Sequence, residues 1–192
     1  MKLNQCLLRW HKLNPQAIIP DKSPEAAGLD LYTIEQNFVL EPHSRHLFST
    51  GLAVAVEEGW WLQIVDRGST GSKGLHVHCG IVDNDYRGEI FVCLHNENSY
   101  PIKFTDDEEP GFHKHQERIT TGPKAENGIQ LSVAIIQDVE IIDYFVYPAS
   151  KAIAQIIPIL QPEVSSGEAT DEEWELLKNT ERGEGKLGSS GK

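Results

Sequence analysis

The sequence is short of cysteine, of arginine and of long apolar runs, and each shortage excludes something. Three cysteines, Cys6, Cys79 and Cys93, close no disulfide framework, so a stapled secreted scaffold is excluded and a reducing compartment is expected. The longest apolar runs, such as Ala152–Leu160, fall far short of a bilayer span. No charged segment followed by an apolar core opens the chain, so it reads as non-secreted: cytoplasmic, or inside a host cell if viral. Zinc-type spacing is missing too. His76, His78 and Cys79 lie close together, as do His113 and His115, but neither group has the second ligand pair that zinc requires. These side chains are expected at alternating strand positions or in solvent. Basic charge is the last shortage. Lys and Arg number 17 against 29 Asp and Glu, for a formal net charge of −12. A nucleic-acid coat or an anionic-membrane binder carries the opposite sign. Only six of the cations are arginine, so the position of each carries information.

What is present suits one packed domain over residues 1–192, with 39% apolar and 24% charged residues. Strand-like segments dominate: Asn37–Leu40, His46–Phe48, Leu52–Val56, Trp60–Val65, Ile90–Leu94, Ile129–Ile136, Val139–Tyr147 and Ile153–Leu160. Turn clusters such as Glu57-Glu58-Gly59 and Asp83-Asn84-Asp85 separate them. Many short strands with almost no helical period predict an all-β barrel or sandwich. One short helix is expected near the C-terminus, where Thr170 and Glu173 form a capping box with acidic residues at the positive end of the helix dipole. Trp174 and Leu177 give it a short apolar stripe, expected to sit on the surface and hold down the tail.

Two stretches differ in composition. Residues 95–128 carry Asp106-Asp107-Glu108-Glu109, Pro110-Gly111 and Gly122-Pro123, and read as a long polar excursion, functional or disordered. The acidic run is expected to be a solvated face. Residues 180–192 are rich in glycine. They form either a disordered tail or a mobile strip of N–H groups, with Arg182, Lys186, Ser189 and Ser190, that closes over a polyphosphate.

Four segments concentrate chemistry. Ala27-Gly28-Leu29-Asp30-Leu31 places a carboxylate after a tight backbone. Asp66 through Gly74 is a glycine- and hydroxyl-rich loop with two cations. Gly80 through Glu89 is a strand, a turn bearing carboxylates and an aromatic, then a strand. The glycine-rich tail is the fourth. Arg67, Arg87 and Arg182 each fall in one of the last three. Arginines and hydroxyls bind phosphate oxygens, a carboxylate holds the waters of a phosphate-borne Mg²⁺, and a carboxylate near phosphorus activates water. The set suits a nucleoside polyphosphate.

In this order the segments resemble the five motifs of the trimeric dUTPase family. The third, Gly80-Ile81-Val82-Asp83-Asn84-Asp85-Tyr86-Arg87-Gly88-Glu89, is the closest match; Ile153-Ala154-Gln155-Ile156-Ile157 matches the fourth and Arg182 through Gly191 the fifth. The resemblance covers residues 13–90 and 150–192, with an insertion between the third and fourth motifs. It implies a jelly-roll-like β-barrel that forms a homotrimer with shared active sites, and Mg²⁺-dependent hydrolysis of dUTP to dUMP and pyrophosphate. Asp83 is then the residue that activates water, and Tyr86 packs on the deoxyribose. The hairpin at Val77, Gly80 and Ile81 reads the uracil edge. Arg67, Gly68, Ser69 and Gln155 line the phosphates, with Arg67 also counted as catalytic. Asp30 reaches the Mg²⁺ shell through water or belongs to its supporting network. From the tail, Arg182, Ser189 and Ser190 meet the outer phosphates, Leu187 gives the base an apolar cover, and Gly188 is counted among the substrate contacts.

Three departures from the family pattern stand in this sequence. Asp66-Arg67-Gly68 replaces the usual Pro-Arg-Ser, which removes a hydroxyl at 68 and adds an anion at 66 that weakens phosphate binding unless a neighbour pairs with it. Leu187 replaces the usual aromatic. The alternatives are a catalytically weakened trimer that docks a protein partner through the 95–128 insertion, or a pyrophosphatase for another deoxynucleoside triphosphate. No nucleic acid or membrane partner is expected.

Overall fold

A computed structural model describes residues 5–117 and 140–180, with side chains at 5–113 and 143–180. Residues 5–161 form one unit and the segment from Pro162 another. In the first unit the strands are β1 Leu8–Lys12, β2 Leu29–Leu31, β3 Phe38–Leu40, β4 Arg45–Val56, β5 Trp60–Val65, β6 Leu75–His78, β7 Ile81–Val82, β8 Glu89–Asn96, β9 Ile102–Phe104, β10 Gly111–Glu117, β11 Glu140–Tyr147 and β12 Ala154–Leu160, and a one-turn helix α1 covers Gly68–Gly71. They make three four-stranded sheets, ordered β1-β4-β8-β6, β10-β11-β9-β3 and β2-β12-β5-β7. All pairs are antiparallel except β11 with β9. This is the all-β, jelly-roll-like barrel expected.

One core joins the three sheets. Phe48 of the first sheet, Phe104 of the second and Leu62 and Ile156 of the third are all fully buried in one cluster. Aromatic edges lock it: Phe48 meets Phe104 at 4.7 Å between centroids, and Phe104 meets Tyr147 at 5.5 Å. Inside the core Asn96 is 0% exposed, and its Nδ2 donates to the carbonyls of Leu40, Glu41 and Tyr100. That one side chain closes the turn ends of β3 and β8, where loop carbonyls otherwise lack partners.

The observed elements differ from the expected ones in four places. His46–Phe48 and Leu52–Val56 belong to one strand, β4, with an irregular register between Ser49 and Ala53. Gly51 sits there at φ 66°, and the Glu89 carboxylate accepts its N–H at 2.8 Å. A carboxylate from β8 supplies the acceptor that the broken ladder lost. Next, residues 95–105 are not part of an excursion. Ile102 and Phe104 of β9 are 0% exposed, so the polar composition of the stretch hides a core strand. Thirdly, the acidic run is more than a solvated face. Asp106 accepts from Ser150 N–H and Oγ and from Gln36, Asp107 accepts from Asn37, and Glu108 pairs with Lys103 and Tyr144. Burial opposes ionisation of Asp106, but these Ser150 and Gln36 bonds hold its carboxyl below the usual range. Finally, α1 is a helix the composition did not announce. His76 and His78 lie on β6, and His113 and His115 on β10, as their alternation implied.

The second unit carries α2, Asp171–Leu177, with the capping box as read: Thr170 Oγ1 accepts Glu173 N–H at 3.2 Å and Glu173 Oε2 accepts Thr170 N–H at 2.8 Å. Trp174 and Leu177 are 58% and 63% exposed. The segment Ile129–Ile136 lies outside the described residues. Among the described residues no helix is long and apolar enough to cross a membrane.

Candidate active site

The sheet β2-β12-β5-β7 gathers residues that are far apart in the chain. Asp30 lies in β2 and Gln155 in β12, directly opposite each other. Gln155 also faces Val65, the last residue of β5, after which come Asp66 and Arg67. On the other edge β7 pairs Val82 with Leu62 and delivers Asp83. The apolar alternation that buries Leu31, Leu62, Ile64 and Ile156 thus turns the polar members of the same strands toward one rim.

Arg67 is held on three sides. Its Nε and Nη2 each donate at 2.9 Å to the two Asp30 oxygens, and its Nη1 donates to Ser69 Oγ at 3.2 Å and to the Ala152 carbonyl at 3.1 Å. A bidentate fork fixes both position and plane of the guanidinium. The following turn is wound by Thr70, which is 0% exposed: its Oγ1 accepts Arg67 N–H at 3.1 Å and donates to the Arg67 carbonyl at 3.0 Å. Gly28 lets this assembly close, since a Cβ there would meet Gln155 Oε1 at 3.0 Å and the Ile156 carbonyl at 3.1 Å.

Asp66, the unexpected anion, has partners. Its Oδ1 accepts Val77 N–H at 2.5 Å and its Oδ2 lies 2.8 Å from His76 Nδ1; His76 Nε2 is 3.3 Å from Glu97. Its backbone carbonyl accepts Gln155 Nε2 at 3.0 Å. Gln155 therefore places the Asp66-Arg67 peptide, and its amide nitrogen is committed to that task.

The connection from β6 to β7, which passes from the sheet β1-β4-β8-β6 to the sheet β2-β12-β5-β7, approaches β5 closely. Ile64 N–H donates to the Gly80 carbonyl at 2.7 Å, and a Cβ at Gly80 would overlap the Ile64 carbonyl oxygen. Cys79 takes φ 55° to make the turn. Beneath it lies an open cavity of about 460 Å³ lined by Gln63, Val65, Asp66, Val77, Gly80 and Ile81. Val77 N–H is thus given to Asp66 and the Gly80 carbonyl to Ile64. A second cavity of about 180 Å³ is lined by Ile81, Asp83, Tyr86, Glu89 and Phe91 among others. Tyr86 folds back over its own turn: its hydroxyl donates to the Glu89 carbonyl at 2.9 Å, and Gly88 leaves room, since a Cβ there would lie 2.5 Å from that hydroxyl. Arg87 is spent on the turn, donating to the carbonyls of Asn84 and Tyr86 at 2.6 and 2.8 Å. Asp83 is exposed, and no described group bonds its carboxylate.

Asp83 and Arg67 leave opposite ends of the sheet. Val82 faces Leu62 and Gln155 faces Val65, so Asp83 lies near Trp61 while Arg67 lies beyond Val65. Six residues of extended chain span about 20 Å at about 3.3 Å each. Within one chain, the two do not meet. Arg182, Leu187, Gly188, Ser189 and Ser190 lie outside the described residues. Sequence reasoning missed Tyr147, which is buried, donates to the Ala152 carbonyl at 2.9 Å and stands beside Arg67 and Ser69. Burial pushes its phenol above the ordinary range, while Arg67 and Ser69 act in the opposite sense. No local motif marks it. His76 and Glu97 were likewise not read as neighbours of the arginine loop.

Comparisons with known proteins converge on dUTPases. The dUTPase family model matches residues 14–108. A deoxyuridine 5'-triphosphate nucleotidohydrolase of Nautilia profundicola is 33% identical over 189 residues, which cover 96% of this chain and 99% of that one. The protein of the same name from Wolinella succinogenes is 46% identical over 99 residues, 50% of this chain and 66% of the relative. Among solved structures, the Staphylococcus bacteriophage 80alpha dUTPase with dUPNHPP superposes with a TM-score of 0.62 at 22% identity, covering 97% and 99% of the two chains. A mutant dUTPase of phage phi11 of S. aureus, described for its coordination of a structural Mg(II) ion, gives 0.55 at 23% identity, covering 86% and 99%.

Proposed function

The chain belongs to the dUTPase family, and from that premise we propose that it hydrolyses dUTP to dUMP and pyrophosphate at sites shared between subunits of a homotrimer. One observation carries the shared-site reading. Asp83 and Arg67 sit at opposite ends of one sheet, about 20 Å apart by strand rise, so a water-activating carboxylate and a phosphate-binding guanidinium come together only between two copies. The apolar surface beside Asp83 agrees: Leu47, Ile81 and Phe91 are 57%, 69% and 41% exposed in the single chain and suit a covering neighbour.

In this reading Asp83 takes a proton from water as the water oxygen bonds to the α-phosphorus, and the bond to the bridging oxygen breaks so that pyrophosphate leaves. Tyr86, held against its own turn by the Glu89 carbonyl, presents a fixed wall to the sugar. Arg67, planar and clamped by Asp30, meets phosphate oxygens without having to reorganise. Asp30 serves first as the residue that orients Arg67. Both of its oxygens are engaged by that guanidinium, but each keeps a lone pair that accepts from water, which fits a role in a hydrated Mg²⁺ shell rather than direct ligation. Such an ion neutralises phosphate charge and rides on substrate oxygens. The tail residues Arg182, Ser189 and Ser190 are assigned to the outer phosphates, and Leu187 and Gly188 to the base.

The experiment is subunit complementation. Asp83→Asn and Arg67→Ala chains are unfolded, mixed in equal amounts and refolded together, and pyrophosphate release from dUTP is measured. Each variant alone is inactive. The mixture regains activity at about one quarter of its sites, the random fraction that pairs an intact Asp83 with an intact Arg67 across a cyclic interface. A mixture as inactive as its parents would overturn the shared site.

Gly68→Ser tests the missing hydroxyl. A Cβ at Gly68 meets nothing within 4 Å, so the fold accepts it. A hydroxyl bonded to a charged phosphate contributes about 1.5–3 kcal/mol, so kcat/KM for dUTP rises by about 10- to 100-fold. No gain in turnover would show that Ser69 or the backbone already fills that role.

A further inference from the structure

Asp66 touches more of the site than any other side chain without itself belonging to the phosphate or base contacts. Its carbonyl holds Gln155 of β12. Its carboxylate holds Val77 N–H and His76 Nδ1 of β6. It also underlies α1, since a Cβ at Gly71 would lie 3.6 Å from Oδ2. Val77 stands opposite Leu94 of β8 in register, yet its amide turns to Asp66. The carboxylate therefore acts as a substitute strand partner for the free side of β6, at the rim of the cavity that Val77, Gly80 and Ile81 line. An anion one residue from Arg67 repels phosphate at close range. The imidazole at 2.8 Å, backed by Glu97 at 3.3 Å, holds the carboxylate against β6.

We propose that Asp66 is a positioning residue that ties the Arg67 loop to β6, and thereby to the β6–β7 connection, through Val77 N–H and His76, and so helps determine pyrimidine selectivity. The proposal rests on the reading of Arg67 as a phosphate contact and of the hairpin as the base reader. Loss of the acceptor leaves Val77 N–H without its partner and loosens the edge of β6 that β8 does not pair. His76 is the counter-group, and its contribution passes through Asp66.

The test uses the full chain with Asp66→Ala, Asp66→Asn, His76→Gln and the Asp66→Ala/His76→Gln pair. Pyrophosphate release is followed on dUTP and dCTP, and amide hydrogen exchange is followed at Val77. Removing one acceptor from a partly buried donor shifts affinities by about tenfold or more. Asp66→Ala accordingly raises KM for dUTP about tenfold with kcat within about threefold, and lowers the dUTP-to-dCTP ratio of kcat/KM about tenfold. Asp66→Asn keeps an acceptor for Val77 N–H and stays within about threefold of the parent. His76→Gln adds nothing to Asp66→Ala, since both act through one contact. Exchange at Val77 is at least about tenfold faster in Asp66→Ala than in the parent or Asp66→Asn. Unchanged exchange at Val77, additive double substitution, or a fall in melting temperature with selectivity intact would overturn the proposal. If the unsubstituted protein releases no pyrophosphate from dUTP, the function proposed above fails, and exchange at Val77 still decides the tether by itself.

Discussion

Asp83→Asn lowers kcat for dUTP by about 10²–10⁴-fold, the range that a positioned general base contributes, while nucleotide binding and assembly persist. The carboxylate leaves β7 into a cavity of about 180 Å³ beside Ile81 and Tyr86. Among the described residues nothing bonds to it, so its oxygens are free to receive water. Its backbone is fixed independently: Tyr86 N–H donates to the Asp83 carbonyl at 3.2 Å, and Asn84 Nδ2 donates to the carbonyls of Glu57 and Trp60 at 2.9 and 2.7 Å. Asparagine keeps the shape and the turn but cannot take the proton. The loss therefore falls on kcat, with KM near its parent value. Single-turnover hydrolysis with a parallel binding titration separates the two. A variant that retains more than about a tenth of the parent kcat would remove Asp83 from the base role.

Gly80→Ala disables the site by a different route. An added Cβ overlaps the Ile64 carbonyl oxygen, which is backbone within a buried strand and has no rotamer to move to. The hairpin must shift away from β5, breaking the 2.7 Å bond from Ile64 N–H to the Gly80 carbonyl. Overpacking of this kind costs about 1–3 kcal/mol. The displacement carries Ile81 and Asp83 with it, and a misplacement of about 1 Å in reacting groups costs about 10²-fold in rate. Melting temperature and dUTP turnover both fall, whereas Gly68→Ala, made in open space, leaves the melting temperature within its error. A Gly80→Ala protein with parent-like turnover would show that the hairpin does not need its close approach to β5.

The two variants mark what a sequence shows and what it hides. Asp83 is legible because it lies in a contiguous motif, Gly80 through Glu89, that resembles the family's third, with Tyr86 three positions on and Gly88 where the ring returns. The strand at Trp60–Val65 and the cap at Thr170 are legible for the same reason, since alternation and capping act over a few residues. The one-turn helix α1 is not, because Gly68-Ser69-Thr70-Gly71 has poor intrinsic helix propensity and is wound only by the buried Thr70. The strand β9 is not either. Its two core residues, Ile102 and Phe104, are outweighed in any composition window by the acids that follow.

By itself the sequence determined the all-β class and the helix cap near the C-terminus, and it carried the motifs of the dUTPase resemblance, because these depend on residues close in the chain. Tertiary structure alone decided which groups pair. The order β2-β12-β5-β7 brings Asp30 to Arg67 across 37 positions, and the approach of β6, from the sheet β1-β4-β8-β6, gives the anion at 66 an imidazole and an amide as partners. It also sends Asp83 and Arg67 out of opposite ends of one sheet. Strand order is set by which apolar faces can be buried together, and that sum runs over the whole core, so no local segment contains it.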